Sequence, residues 1–408
     1  MISAPDKWKQ KFHLEPDEGW LNDPNGLCYF NGLYHVFFQY SPSDCFGGGE
    51  RGWGHFAGES LNDLKFCGMP VRPDSEFDRD GAWSGSAVVH DGTLYVFYTG
   101  NVDDDGVRSA NQILITSSDG YNFSDKCAVI RTPDYPADIT FDVRDPKVWH
   151  DGIWHMVLGA RDINDHGKVL YYEAEDPHDW HFVREFNKPG FGYMWECPDM
   201  IEITGQRFLM TCPQGLGHER YRFQNKYSSG YFRVSGEELG EYEELDCGFD
   251  FYAPQTFRTP DGDVILIGWM GMSDNPFDDP ETSYGRQNCL TIPRKLTLDG
   301  DGNILQEPFI PEDNIMEFTD ISDDFVIRIS DALISFSDGE FILDLTRNNI
   351  GRGRDIRRAK VGKVSSLKIV LDSSSLEVFI NGGRTVMTSR FYPDSDNVNI
   401  SCDGIRRR

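Results

Sequence analysis

Apolar positions along the chain alternate over short runs, and each run stops at a tight turn. The pattern is clearest in L-C-Y-F-N-G-L-Y-H-V-F-F-Q around Gly32 and in A-V-V-H-D-G-T-L-Y-V-F-Y-T around Gly92. It returns as K-V-W-H-D-G-I-W-H-M-V-L around Gly152. Two weaker copies are M-I-E-I-T-G-Q-R-F-L-M-T at Gly205 and T-F-R-T-P-D-G-D-V-I-L-I-G-W at Gly262. Alternation of this kind is strand periodicity, and Asn-Gly or Asp-Gly favours the primed turns that join twisted antiparallel strands. The turn glycines are 60, 60, 53 and 57 residues apart, which leaves room for two more strands between hairpins. Four-stranded units repeated radially make a β-propeller, and five copies make five blades. A long β-sandwich would not need such even spacing.

Beyond the fifth copy the register is lost. Residues 307–325 are acidic and Pro-punctuated, as a linker or domain edge would be. Short alternating runs follow, among them F-V-I-R-I-S, F-I-L-D-L and L-E-V-F-I-N, and they predict half-buried antiparallel strands. The expected fold is therefore all-β: a five-bladed β-propeller over residues 1–306, the linker, and a small C-terminal β-sandwich over 326–408.

Composition agrees, with 13% aromatic residues and 41 Gly. A net charge of −28 repels nucleic acid, anionic membranes and polyanionic substrates, but not a neutral sugar. No apolar run approaches a membrane span, and Met1 to His13 carries no apolar leader, so cytoplasm is the expected location. Nine cysteines, an odd number with no C-x-x-C pair, read as reduced thiols. The basic stretch from Arg347 to Lys363 reads as a solvated hairpin surface, and Arg406-Arg407-Arg408 as a frayed tail.

Upstream of each turn glycine sits a polar cluster. In order these are N-D-P-N-G (Asn22 to Gly26), W-S-G-S (Trp83 to Ser86), R-D-P (Arg144 to Pro146), E-C-P (Glu196 to Pro198) and Y-A-P (Tyr252 to Pro254). Equivalent blades would point all five to one end of the central channel. Asp23, Asp145 and Glu196 would then converge on one pocket. Converging carboxylates suit hard-metal binding or glycosidic acid/base work. A calcium site would want closely spaced oxygen ligands. The nearest candidate, Asp103-Asp104-Asp105-Gly106, reads as an exposed acidic turn, so no metal is expected. The Trp, Tyr, Gln, Asn and Arg around the three acids suit a sugar's apolar face and hydroxyls instead. Arg144 beside Asp145 should keep it ionised, while Glu196, between Trp195 and Cys197, is the natural proton donor. Whether Asp23 attacks or clamps the sugar is open at this point.

These segments closely resemble glycoside hydrolase family 32, the invertases, inulinases and levanases. The likeness runs through H-L-E-P-D-E-G-W-L-N-D-P-N-G (His13 to Gly26), F-F-Q-Y-S-P (Phe37 to Pro42), W-G-H (Trp53 to His55) and W-S-G-S-A (Trp83 to Ala87). It continues through F-D-V-R-D-P (Phe141 to Pro146), W-E-C-P-D (Trp195 to Asp199), D-F-Y-A-P-Q-T-F (Asp250 to Phe257) and L-D-S-S-S-L-E-V-F-I-N-G-G (Leu371 to Gly383). Blocks in the family's order span the chain. The resemblance implies Asp23 as nucleophile, Asp145 as transition-state stabiliser and Glu196 as general acid/base. It also implies that Asn22, Gln39, Trp53, Trp83, Ser84, Arg144, Tyr252 and Trp269 line a fructose subsite, with no cofactor. His55 reads as a hydrogen-bonded packing residue.

One departure stands out. After Trp269 the family often carries a Trp-rich segment with a His, whereas here the chain reads S-Y-G-R-Q-N-C-L-T-I-P-R (Ser283 to Arg294). The implied activity is retaining hydrolysis of sucrose or sucrose-6-phosphate, a small-molecule sugar partner. Short inulin-type fructo-oligosaccharides, fructosyl transfer and a propeller that binds carbohydrate without catalysis are the alternatives. Arg220, Arg222 and Lys226 could meet a phosphate on the leaving glucose, though surface charge explains them as well.

Overall fold

The computed structural model describes residues 6–394 and 398–408. Met1 to Pro5, part of the stretch read for a leader, lie outside the described residues. Five antiparallel sheets follow one another along the chain, and each contains a run of four strands. Their inner strands are Gly19–Phe30, Ala82–His90, Ile139–His150, Met194–Ile203 and Tyr252–Arg258. Each packs against the inner strands of the sheets on either side, and the fifth returns to the first. The ring is a five-bladed propeller.

The turn glycines behave in two ways. Asn31-Gly32, Asp91-Gly92 and Thr204-Gly205 close two-residue hairpins with both residues at positive φ (50° and 84°, 47° and 72°, 47° and 83°). These are the primed turns that the sequence predicts. At Gly152 and Gly262 the loops are longer, because His150 pairs with Trp154 and Arg258 with Val264, and the expected two-residue turn is not formed. The segment that departs from the family's pattern has a structural use: Arg286 and Gln287 pair in parallel with Gly19 and Trp20 and extend the first blade.

The last propeller strand is Ile304–Pro308, and the strand Ile315–Thr319 already pairs with Leu367–Leu371 in the second domain. The stretch expected as a linker to residue 325 therefore contains a sandwich strand. Its signal was the alternation of Met316 and Phe318, both buried, inside an acidic context. Two five-stranded sheets enclose a core that includes Phe325, Ile334, Phe341, Ile369 and Val378. The C-terminal tail is not frayed: Arg406 and Arg407 pair with Thr319 and Phe318 as an edge strand.

The basic stretch also departs from expectation. Arg354 is buried, with Nε and Nη2 on the Asp250 carboxylate at 2.7 and 2.9 Å. Arg357 donates to Asn225 Oδ1 at 2.8 Å and lies 3.9 Å from the Phe249 ring centre. These guanidiniums bind the sandwich to the propeller and are not solvated. Arg220 likewise pairs with Glu340 of the sandwich at 2.7 Å, and Arg222 donates to the Tyr242 carbonyl. Elsewhere in the same seam, His13 bridges Asp372 and Glu377, each at 2.9 Å, and the fully buried Arg294 reaches Glu377 at 2.5 Å and Asp246 at 3.3 Å. All nine cysteines are free, and no helix of the described residues is long and apolar enough to cross a membrane.

Candidate active site

Every inner strand carries an irregularity at its polar cluster. The pairing skips between Leu21 and Pro24, Ala82 and Gly85, Arg144 and Lys147, Glu196 and Asp199, and Tyr252 and Gln255. A bulge bends a strand and re-aims a side chain. Five of them at equivalent places turn the clusters toward one end of the channel. At three blades the residue before the proline has left-handed backbone: Asp145 at φ 62°, Cys197 at 49° and Ala253 at 48°. None is glycine, so each carries steric strain that the surrounding sheet must hold.

The three acids meet there. Asp23 accepts from Ser84 Oγ at 2.6 Å and from Asn22 Nδ2 at 3.1 Å. Asp145 accepts the Cys197 amide on Oδ2 at 2.9 Å, and its own amide donates to Thr99 Oγ1 at 3.0 Å. The Cys197 sulfur lies between them, 3.9 Å from Asp23 Oδ2 and 3.6 Å from Asp145 Oδ2. Glu196 receives three donors: Arg144 Nε at 3.0 Å, Gln214 Nε2 at 2.6 Å and the Tyr252 hydroxyl at 2.6 Å. All three carboxylates line one cavity of about 210 Å³, together with Asn22, Gln39, Trp83, Ser84, Arg144 and Tyr252.

Two expected wall residues are elsewhere. Trp53 is fully buried, and its indole N–H donates to the Trp83 carbonyl at 2.9 Å, so it lies behind the wall and supports Trp83. Trp269 is only 1% exposed and is packed between Trp20 and Tyr252. Both are apolar planes absorbed by the core. His55 lies in the core as well, stacked on Phe37 and 2.9 Å from His35 Nδ1. Sequence reasoning missed Arg51, Arg108 and Ser273, which complete the wall. Arg108 stands on the strand Val107–Ser117, away from the polar clusters, where no motif marks it.

The electrostatics correct one expectation. Arg144 follows Asp142 and precedes Asp145 in sequence, yet its guanidinium is committed to Glu196 and Asp142. Burial and the Glu196 charge, only partly countered by Arg144, push Asp145 up to about 7. Burial pushes Asp23 up to about 6, with the Glu196 charge adding to it and Ser84 and Asn22 opposing. The Cys197 thiol is raised by its hydrogen bond to Cys212 and by burial, so it stays protonated. A site with two carboxyls raised toward neutrality, Asp23 and Asp145, is equipped for acid/base chemistry.

An acid-lined pocket at one end of a five-bladed ring, joined to a β-sandwich, suits a glycoside hydrolase. Residues 13–308 match the glycosyl hydrolases family 32 N-terminal domain, and residues 328–403 the family's C-terminal domain. The chain belongs to glycoside hydrolase family 32. It is 36% identical to a sucrose-6-phosphate hydrolase of Bacillus subtilis, over 98% of this chain and 92% of that protein. It is 35% identical to a raffinose invertase of Escherichia coli, over 97% and 91%. Among solved structures, sucrose-6-phosphate hydrolase from Lactobacillus gasseri superposes with a TM-score of 0.90 at 28% identity, covering 98% of this chain and 92% of that one. A Bombyx mori family 32 β-fructofuranosidase mutant in complex with sucrose gives 0.85 at 29%, with the same coverage.

Proposed function

We propose that this enzyme hydrolyses the fructosyl bond of sucrose or sucrose-6-phosphate by double displacement. The observation that carries the reading is the meeting of Asp23, Asp145 and Glu196, from three different blades, around one small cavity. Sucrose-6-phosphate hydrolases and an invertase among its relatives support the substrate class. In this reading Glu196 gives its proton to the glycosidic oxygen while Asp23 attacks the anomeric carbon, so the C–O bond to glucose breaks and a fructosyl ester forms. Glu196 then takes a proton from water, the water oxygen bonds to the same carbon, and Asp23 leaves as carboxylate. Ser84 and Asn22 orient the attacking carboxylate. Asp145 accepts from the sugar hydroxyls more strongly as oxocarbenium charge grows.

The electrostatics support a division of labour decided on binding. Asp23 and Asp145 are raised to about 6 and about 7, so the proton they share is close to balance at neutrality and a bound sugar can tip it. The cavity volume favours one terminal sugar ring over a threaded polymer. Release of reducing sugar from sucrose, by the wild type and by Asp23→Asn and Glu196→Gln, tests the reading. Near-normal turnover in either variant would sink the assignment.

A further inference from the structure

Glu196, on the fourth blade, is held from both neighbouring blades. Arg144 of the third donates through Nε at 3.0 Å, and Tyr252 of the fifth through its hydroxyl at 2.6 Å. Further along the same three inner strands the arrangement repeats: a carboxylate on the fourth blade, a cation from the third and a hydroxyl from the fifth. Asp199 Oδ2 accepts from Lys147 Nζ at 2.9 Å, from Thr256 Oγ1 at 2.9 Å and from the Thr256 amide at 2.7 Å. Lys147 Nζ also donates to the Thr256 carbonyl at 2.5 Å and closes the triangle. Asp199 is 1% exposed, and its Oδ1 has no hydrogen-bond partner among the described residues. Every hydrogen bond of this carboxylate therefore runs to another blade.

The two layers are a few residues apart on each strand. Lys147 follows Arg144 by three residues, Asp199 follows Glu196 by three, and Thr256 follows Tyr252 by four. Between the layers lie the three left-handed residues, Asp145, Cys197 and Ala253, each followed by a proline. Such backbone persists only where its surroundings over-determine it. The polar clusters of the first two blades contain no left-handed residue other than Gly26. Their seams are closed by neutral bonds instead: the Gly85 amide to Asn25 Oδ1 at 3.3 Å, and the Val148 amide to Ser86 Oγ at 3.0 Å. The charged triangle spans the strained blades.

We propose that Asp199 is a positioning residue for Glu196: with Lys147 and Thr256 it fixes the spacing of the three strained strands, and so the place from which Glu196 meets the glycosidic oxygen. This rests on the reading of Glu196 as acid/base and deepens it. Asp199 does not line the cavity that holds the three acids, so it acts through the strand it anchors.

Removing one charge of a buried pair destabilises a protein whatever the pair's role. The test variant therefore removes both, as Lys147→Met with Asp199→Asn, and kcat and KM are measured on sucrose and on β-fructofuranosyl fluoride, whose leaving group needs little proton transfer. On sucrose kcat should fall about 10²-fold with little change in KM, as a misplaced catalytic group requires. On the fluoride the loss should be at least about tenfold smaller, because proton delivery no longer limits the step. Thr256→Val, which removes one hydroxyl and no charge, should reproduce the pattern with a loss of about three- to tenfold. A kcat on sucrose within about twofold of wild type in either variant, or equal losses on the two substrates, overturns the assignment. A wild type that releases fructose from neither substrate fails the hydrolase reading itself.

Discussion

Arg144 stands next to Asp145 in the chain, yet its Nε donates to Glu196 of the following blade at 3.0 Å. The bulged backbone turns the two neighbours apart, so one blade supplies both a carboxylate and the cation that holds another blade's carboxylate. Arg144→Gln removes a charge that lowers the Asp145 pKa. The acid limb of the kcat/KM profile should therefore move to higher pH. Its maximum should fall by about 10²-fold, the usual cost of losing one aligned donor at a reacting group. A pH–rate series on sucrose checks both, and an unmoved acid limb would contradict the pairing.

Asp23→Asn should abolish turnover by about 10³-fold or more while raising thermal stability. Burial holds the folded-state pKa of Asp23 at about 6, above its ordinary 3.8. Ionising it in the folded protein therefore costs stability, fully so above pH 6 and not at all below pH 3.8. At about pH 8 the neutral amide should raise the melting temperature by roughly 1–3 °C. Calorimetry at that pH would show no gain if the carboxylate were well solvated.

The buried seam predicts the opposite pH behaviour. Burial works against a charge on His13, but Asp372 and Glu377 outweigh it and raise its pKa from 6.5 to about 9. Its contribution is whole below pH 6.5 and is lost as pH rises through 9. His13→Leu should destabilise by about 3 kcal/mol near pH 6, because it leaves the Asp372 carboxylate without its cation and Glu377 with Arg294 alone. The gap between variant and wild type should close toward about pH 10 in urea titrations.

Gly159 lies where the third blade touches the fourth. A Cβ there would sit 2.1 Å from the Trp195 carbonyl oxygen and 3.3 Å from the Glu196 Cα. Gly159→Ala should cost about 1–3 kcal/mol of stability and push Glu196 off its position. Activity should fall by at least about tenfold in protein that still folds by circular dichroism, a loss that KM alone would not explain.

The blades were legible because hairpin turns and strand alternation are local: Asn31-Gly32 and Asp91-Gly92 announce themselves within a few residues. The three acids were legible because each sits in a polar cluster a few residues upstream of a turn. Pairing of charges was not, since it depends on which way a bulge turns its neighbours. Arg144 went to Glu196, Arg354 to Asp250, and Arg220 to a different domain. Trp53 and Trp269 look like ligand platforms in sequence because an indole has the same composition in a wall and in a core. Only the packing behind Trp83 and Tyr252 separates the two.

The left-handed residues at 145, 197 and 253 set stability and chemistry against each other on the same peptide units. Glycine at Ala253 would ease the backbone by about 1 kcal/mol, and the freed chain would no longer be compelled to aim the neighbouring phenol at Glu196. A library of variants ranked by melting temperature alone would drift toward relaxed chains that have lost their grip on the sugar.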